Sequence, residues 1–365
     1  MTLDLYFARR YLKAFGLVFG AFLGFLLLLE MVEQVRRFDT SDLGLSEALE
    51  LALLAAPETL YRILPLIVLL STLVLCLGLA RSSELVIARA AGRSGLTSLA
   101  GPVVTVAVLG ALAVAGLNPI VAATSLRYET AAARYAGAEA SVLSVSREGL
   151  WMRQGGVGGQ TVIRADRASR DGTRLYGLTF IAFDAAGAPV SRIEAREAVL
   201  VPGAWDVTDA KEWRLTGSPN PEAEAVSHAS LRLPSDLTID RIRDSFATPS
   251  AVPIWQLGAF ISQLEAAGFS ARQHRVWLQM ELALPFFLVA MMLIGAGFTM
   301  RHARFGRTGQ MVVMAIGLGF ALYFLRNFAQ VLGESGQIAP ALAAWSPPVA
   351  GILASLGLLL HLEDG

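Results

Sequence analysis

Six long apolar runs with short polar stretches between most of them dominate the chain, and one long polar block follows the third. The runs cover about Ala14–Val32, Leu51–Ala80, Thr97–Thr124, Val276–Met300, Gly309–Leu332 and Ala341–Leu362. Each approaches or exceeds the roughly twenty residues an α-helix needs to cross a bilayer, so six membrane spans are predicted. Pro57 and Pro65 lie in the second run, Pro102 and Pro119 near the ends of the third, and Pro285 in the fourth. Met1–Lys13 sets Leu3, Tyr6, Phe7 and Tyr11 against Asp4, Arg9, Arg10 and Lys13, the pattern of an amphipathic helix in the membrane interface before the chain turns inward. The first run is longer than a usual signal core and has no small-x-small exit, so it reads as a retained span. Glu33–Glu50 is a polar loop, and Leu51–Ala80 starts as a helix outside the membrane that becomes the second span.

The polar block has a different grain. Arg127–Ala140 is Ala-rich and helical in character. From Ser141 to Phe246, short β-rich segments (161–166, 175–183, 198–201 and 213–215) alternate with turn signals. Those signals are Gly155–Gly159, Asp171-Gly172, Ala186-Gly187, Pro202-Gly203 and Gly217–Pro221. Strands at such intervals predict an all-β sandwich or barrel. Pro249–Phe269 returns as a helix with Ser250 as its candidate cap. The expected domains are therefore 1–130 with three spans, 131–255 as the β insertion and 256–365 with three more spans.

Composition agrees with a membrane protein: 54% of the 365 residues are hydrophobic and only 16% are charged, against about a quarter charged in ordinary soluble domains. A net charge of zero gives no basic field for nucleic acid. Cys76 is the one cysteine, which excludes a disulfide framework within the chain and a Cys-based metal site. His228, His274, His302 and His361 have no histidine partner at helical metal-site spacing, so no metal is expected. The Gly155–Gly159 cluster lacks the Walker A pattern and precedes a strand, which makes it a hairpin turn. Gly92-Arg-Ser-Gly95 does not have the spacing of a nucleophile elbow. No catalytic residue is nominated and no cofactor is expected on this chain; any ATP would be hydrolysed by another.

Between the second and third runs lies Leu79–Ser94, a polar stretch with the composition of a helix. Ser82 or Ser83 can cap its start and Gly92 can end it. Leu85, Ala88 and Gly92 share one stripe, with Arg81 and Glu84 elsewhere. Spacing alone leaves two readings: a reversal helix on lipid headgroups, or a helix docked on a partner. Arg81-Ser-Ser-Glu-Leu-Val-Ile-Ala-Arg-Ala-Ala-Gly92 resembles the coupling helix of the LptF/LptG permease family of lipopolysaccharide export. Gly149-Leu-Trp151 and Leu175–Phe183 are similar to the LptG branch, and the order of three spans, β domain and three spans matches along the whole chain.

The resemblance implies a six-span α-helical membrane protein with an inserted β-jellyroll-like periplasmic domain, forming one half of an ABC transporter that extracts lipopolysaccharide from the inner membrane. It implies an LptF-like permease subunit, an LptB-like ATPase dimer using ATP, and LptC-like and LptA-like β-jellyroll proteins as partners. The coupling helix, 81–93, would dock on the ATPase, with Arg81, Glu84 and Arg89 as contacts. The LptF paralogue and a membrane-anchored periplasmic binding or sensor domain are the alternatives.

Charge placement bears on orientation and substrate. Arg9, Arg10, Lys13, Arg81, Arg89, Arg93, Arg301, Arg304 and Arg307 gather on one side, which the positive-inside rule makes cytoplasmic. The other side is not depleted. There, Arg36, Arg37, Arg62 and Arg326 come from the first, second and fifth runs at one expected depth. A guanidinium in a span is costly and faces a cavity, a partner or the headgroups. Such groups suit phosphates, and the resemblance implies that basic residues at the outer end of the first span, here Arg36 and Arg37, contact the substrate. Phe320, Tyr323 and Phe324, beside Arg326, complete the substrate-binding candidates. Gly16, Gly20 and Gly24 recur on one face of the first span, where a second helix can approach closely.

Overall fold

The computed structural model describes residues 2–37, 44–90, 92–135, 150–156, 159–168, 174–217, 220–235, 249–266, 270–299 and 308–363. The chain divides into two compact units, a helical one and one that holds the sheet. The helical unit contains α1 (Thr2–Arg37), α2 (Leu45–Arg81), α3 (Glu84–Ala90), α4 (Gly95–Leu112), a π-helical turn (Ala113–Leu117) and α5 (Asn118–Tyr135). It continues with α6 (Ile254–Ala266), whose residues from Ala259 group with the sheet unit, then α7 (Arg272–Thr299), α8 (Thr308–Glu334) and α9 (Pro340–Glu363). Among the described residues six stretches are long and apolar enough to cross a membrane: 3–37, 45–81, 95–128, 272–299, 309–334 and 340–361.

Several helices are longer than the apolar runs predict. The amphipathic N-terminal segment is not a separate element: α1 runs unbroken for 36 residues, because no proline interrupts it and a glycine such as Gly16 only weakens a helix. Likewise α2 continues through Pro57 and Pro65 for 37 residues. In an apolar solvent a helix satisfies its own backbone groups, so continuing past a proline costs less than opening the chain. The third span breaks regularity at its π turn. Pro119 has no N–H to offer the carbonyl four residues back, and that carbonyl, of Ala115, accepts a hydrogen bond from Trp255 Nε1 at 3.3 Å instead. Ser250 does not cap α6; Pro249–Ala251 is a 3₁₀ turn, and the carbonyl of Pro253 takes the first backbone bonds, from Gln256 and Leu257.

Packing is tightest around α7, where Phe287, Leu288, Ala290, Met291, Met292, Leu293 and Ile294 are buried in one cluster with Leu69 and Val106. Close approach depends on small residues there. A Cβ added at Gly110 of α4 would lie 2.6 Å from Pro285 Cα, a backbone atom that cannot swing aside. By contrast, Gly16, Gly20 and Gly24 have nothing within 4 Å of an added Cβ. The stripe therefore packs against no helix of this chain among the described residues.

The sheet unit is an antiparallel meander in which β1 (Leu150–Gly156), β2 (Gly159–Ala168), β3 (Arg174–Asp184), β4 (Pro189–Val201), β5 (Ala204–Arg214) and β6 (Val226–Pro234) pair in chain order. The strand over 213–215 predicted from sequence proves to be the end of β5, and the one over 198–201 the end of β4. Pro202-Gly203 forms the tight β4–β5 turn, with Gly203 at φ 78°, and Asp184 Oδ1 accepts from the Ala186 and Ala188 amides at the β3–β4 turn. Asp171-Gly172 lies outside the described residues, as does the basic loop 301–307.

Strict alternation fails in the middle of the sheet. Leu175 and Leu178, Ala195 and Ala198, and Val207 and Ala210 are each three apart, yet all are buried in one cluster. The slip falls at Gly177 (φ 63°) on β3 and at Asp209 (φ 53°) on β5, where Arg196 of β4 pairs with Asp209 at 3.0 Å. The same cluster holds Phe180, Ile193 and the fully buried Trp205.

Gly110→Ala is expected to cost about 1–3 kcal/mol by overpacking against Pro285, whereas Gly20→Ala is neutral or slightly stabilising through helix propensity. Melting curves of the two variants in one detergent check this contrast.

Candidate functional site

A carboxylate missed by the sequence reading lies at the centre of the helical unit. Glu281 sits in an otherwise apolar turn of α7 and is 2% exposed. Its carboxylate accepts a hydrogen bond from the Tyr61 hydroxyl of α2. Asn118 side-chain bonds also reach Tyr61 and Glu281. Asn118 is itself buried, and its Oδ1 accepts from the Ile254 amide at 2.9 Å. The π turn sets this geometry: its extra residue re-phases the helix at its end, and the Asn118 amide bonds back to the Ala113 carbonyl.

A cavity of about 320 Å³ opens beside this cluster. Glu58, Tyr61 and Arg62 of α2, Asn118 of α5, Trp277 and Glu281 of α7, and Tyr323, Arg326 and Gln330 of α8 line it. Three substrate candidates named from sequence thus converge: Arg62, Tyr323 and Arg326. Arg62 is held by Glu58 of its own helix at 3.1 Å, and Tyr323 Oη donates to the Arg62 carbonyl at 3.4 Å. Arg326 lies over the Phe287 ring at 5.3 Å and within electrostatic reach of Glu281. Among the described residues it makes no ion pair within 4.0 Å. Trp277 Nε1, buried in the same wall, is a donor without a partner among the described residues. Two guanidiniums (Arg62 and Arg326), two carboxylates (Glu58 and Glu281), an indole donor and aromatic rings make this a lining for a polar group.

The remaining candidates lie elsewhere. Arg36 pairs with Glu33 at 3.2 Å on α1. Arg37 donates to the Tyr128 hydroxyl of α5 at 3.1 Å, and that hydroxyl donates in turn to Gln34. Neither arginine lines the cavity, so the expected four-arginine rim is split in two. Phe320 and Phe324 point outward, 43% and 66% exposed. The signal that would have found Glu281 and Asn118 was present: a carboxylate inside a predicted span is as costly as an arginine, and an Asn-Pro pair marks a helix irregularity.

At the opposite end of α2 the coupling stretch is built largely as its sequence suggests. Ser82 and Ser83 form a turn with Ser83 at φ 56°, and the Ser83 carbonyl accepts from Val86 and Ile87 to start α3. Gly92 at φ 81° ends the element, and the Arg93 amide returns to the Ala88 carbonyl. Arg81 is exposed, as are Val86 (56%) and Ile87 (67%). The side chain of Arg89 lies outside the described residues. Glu84 does not stand free: its two oxygens accept from Arg10 Nη2 at 2.7 Å and Tyr6 Oη at 2.9 Å. Partial burial pushes the Glu84 carboxyl up, but bonds from Ser82, Tyr6 and Arg10 outweigh it and hold the group below its ordinary value of 4.5.

A membrane-spanning helical unit with a buried polar cavity, an exposed helix between two spans and a separate β unit defines a multi-pass membrane protein of the permease type. The sequence model of the lipopolysaccharide export system permease LptF/LptG matches residues 5–361, and the chain belongs to that family. It is 26% identical over 340 residues to the lipopolysaccharide export system permease protein LptG of Escherichia coli strain K12, covering 92% of this chain and 91% of that protein. To LptG of Haemophilus influenzae it is 24% identical over 347 residues, with the same coverage.

Tyr61→Phe leaves the Glu281 carboxylate short of a buried donor and is expected to cost about 1–3 kcal/mol. Glu281→Gln keeps an acceptor for Tyr61 and costs less. Thermal denaturation of the two purified variants checks the order. The depressed Glu84 pKa carries its own sign. The stability it contributes is fully present above the ordinary carboxylate value and is lost as pH falls through the lower folded value. Amide exchange protection of residues 84–90, corrected for the intrinsic rate, is therefore expected to be flat from neutral pH to about 5.5 and to fall only in more acidic buffer.

Proposed function

We propose that this chain is the LptG-type subunit of a heterodimeric ABC permease that takes lipopolysaccharide from the outer leaflet of the bacterial inner membrane and passes it to a periplasmic bridge. The observation that carries this reading is the family match along nearly the whole chain, supported by relatives of the LptG name over 92% of it. The sheet unit then lies in the periplasm beside LptC-like and LptA-like partners, and α3 faces the cytoplasm.

In this reading the chain binds no cofactor and hydrolyses nothing; an LptB-like ATPase dimer supplies the work. Exposed Val86 and Ile87 of α3, with Arg81 at the end of α2, are the surface offered to that ATPase, with Arg89 a further contact. An LptF-like subunit provides the other half, and the open Gly16-Gly20-Gly24 stripe of α1 is a surface on which a helix of another chain could lie close. The cavity that collects Arg62, Tyr323 and Arg326 takes a phosphate-bearing headgroup, because a planar guanidinium can donate two parallel hydrogen bonds to phosphate oxygens. Arg36 and Arg37 at the end of α1 form a second cationic contact, and Phe320 and Phe324 face acyl chains.

Reconstitution with LptF-like, LptB-like and LptC-like partners tests the reading through ATP-dependent release of lipopolysaccharide to an LptA-like acceptor. Arg326→Leu is expected to weaken lipopolysaccharide capture about tenfold, the worth of one charged hydrogen bond. Arg326→Lys restores it in part, since lysine lacks the fork. Photo-crosslinkers at positions 62 and 326 should label lipopolysaccharide in the working transporter. Labelling of phospholipid alone would overturn the assignment of the cavity.

A further inference from the structure

The seven residues of α3 are too few to hold a helix on their own. Among its described side chains the fully buried one is Ala88, while Val86 and Ile87 face outward. Polar links to a neighbouring helix hold both of its ends.

Those links come from one neighbour. At the start of α3, Arg10 and Tyr6 hold both oxygens of Glu84. Just past its end, Arg93 Nη2 donates to Asp4 Oδ1 at 2.6 Å. Tyr6 and Arg10 are four apart on α1 and so share a face. Both ion pairs are only partly buried, with side-chain exposures of 42% and 24% for Arg10 and Glu84 and 29% and 31% for Arg93 and Asp4. The signs are crossed: α1 gives a cation to one end of the coupling stretch and an anion to the other, so sliding by a turn breaks both pairs. Behind them α1 has no slack. Phe7 and Tyr11 are buried, and a Cβ added at Gly101 of α4 would lie 2.3 Å from the Asp4 carbonyl oxygen.

We infer that Asp4, Tyr6 and Arg10 form a two-ended latch that ties the coupling helix to α1, making the first span the element that moves when the coupling helix is pushed. The helix is continuous from the latch at Asp4 to Arg37, about 50 Å at 1.5 Å per residue. A displacement at α3 thus reaches the far end of the span without crossing a loop. Asp4, Tyr6 and Arg10 are positioning residues, and Glu84 acts toward its own chain. This inference rests on the reading of α3 as the element an ATPase moves.

A charge exchange in the assembled complex tests it, with two readouts. The first is amide exchange of residues 84–90, which does not depend on transport. The second is lipopolysaccharide released per ATP hydrolysed. Arg10→Glu and Glu84→Arg are each expected to lose protection and to lower the release ratio about tenfold or more. Arg10→Glu with Glu84→Arg restores both to within about threefold, because the pair re-forms with its charges reversed. Tyr6→Phe with Arg10→Gln, a milder pair, loses protection without a reversed charge. A double exchange no better than the worse single variant would overturn the latch and send Glu84 to another chain. Unchanged protection and release ratio in Tyr6→Phe with Arg10→Gln would also overturn it. If the wild-type complex hydrolyses ATP but releases no lipopolysaccharide, the functional reading fails, while exchange protection still decides whether the latch exists.

Discussion

Burying one carboxylate among apolar helices sets the terms for the rest of the helical unit. An isolated charge in such a place is expensive enough that it must be paired, hydrogen-bonded or neutralised. Glu281 meets that demand with Tyr61 of α2, Asn118 of α5 and the nearby charge of Arg326 of α8. Four helices are thereby fixed in rotation and depth at one point. The cavity lies where they cannot close further, because polar groups that need partners do not pack like leucine.

The π turn is the backbone side of the same constraint. Pro119 leaves the Ala115 carbonyl without its helical partner, and Trp255, from the segment that returns from the sheet unit, takes it. Ile254 is tied to Asn118 one residue earlier. A local defect in one span thus becomes the attachment point for the chain as it re-enters the helical unit, and the same residue, Asn118, serves the attachment and the buried cluster.

The two ends of the helical unit are built on different physics. Around the cavity, interactions are sheltered and polar groups converge inward. At the coupling stretch, Val86 and Ile87 face out, Ala88 is buried, and polar links run sideways to α1. Such a short helix, positioned by a few ion pairs, can be shifted as a body, whereas the cluster around Glu281 resists rearrangement because breaking any part of it strands a buried group.

Local chemistry already in the sequence determined the six spans, the helix between the second and third with its Ser83 and Gly92 ends, and the β character of the insertion. Apolar length, turn residues and capping act over a few neighbours, so they can be read along one chain. Tertiary structure alone decided which polar residues meet. Arg62 and Arg326 are far apart in sequence and share a cavity, while Arg36 and Arg37, which look equivalent by composition, go elsewhere. The sheet shows the same limit. Its buried residues slip from alternation at Gly177 and Asp209, which take positive φ while the strand pairing keeps its register, so periodicity found fragments of β4 and β5 rather than their full length. Glu84 carries the contrast furthest. Its place on a polar helix was legible, but its direction was set by Arg10 and Tyr6, more than seventy residues away in the chain, because an ion pair depends on distance in space and not on spacing in sequence.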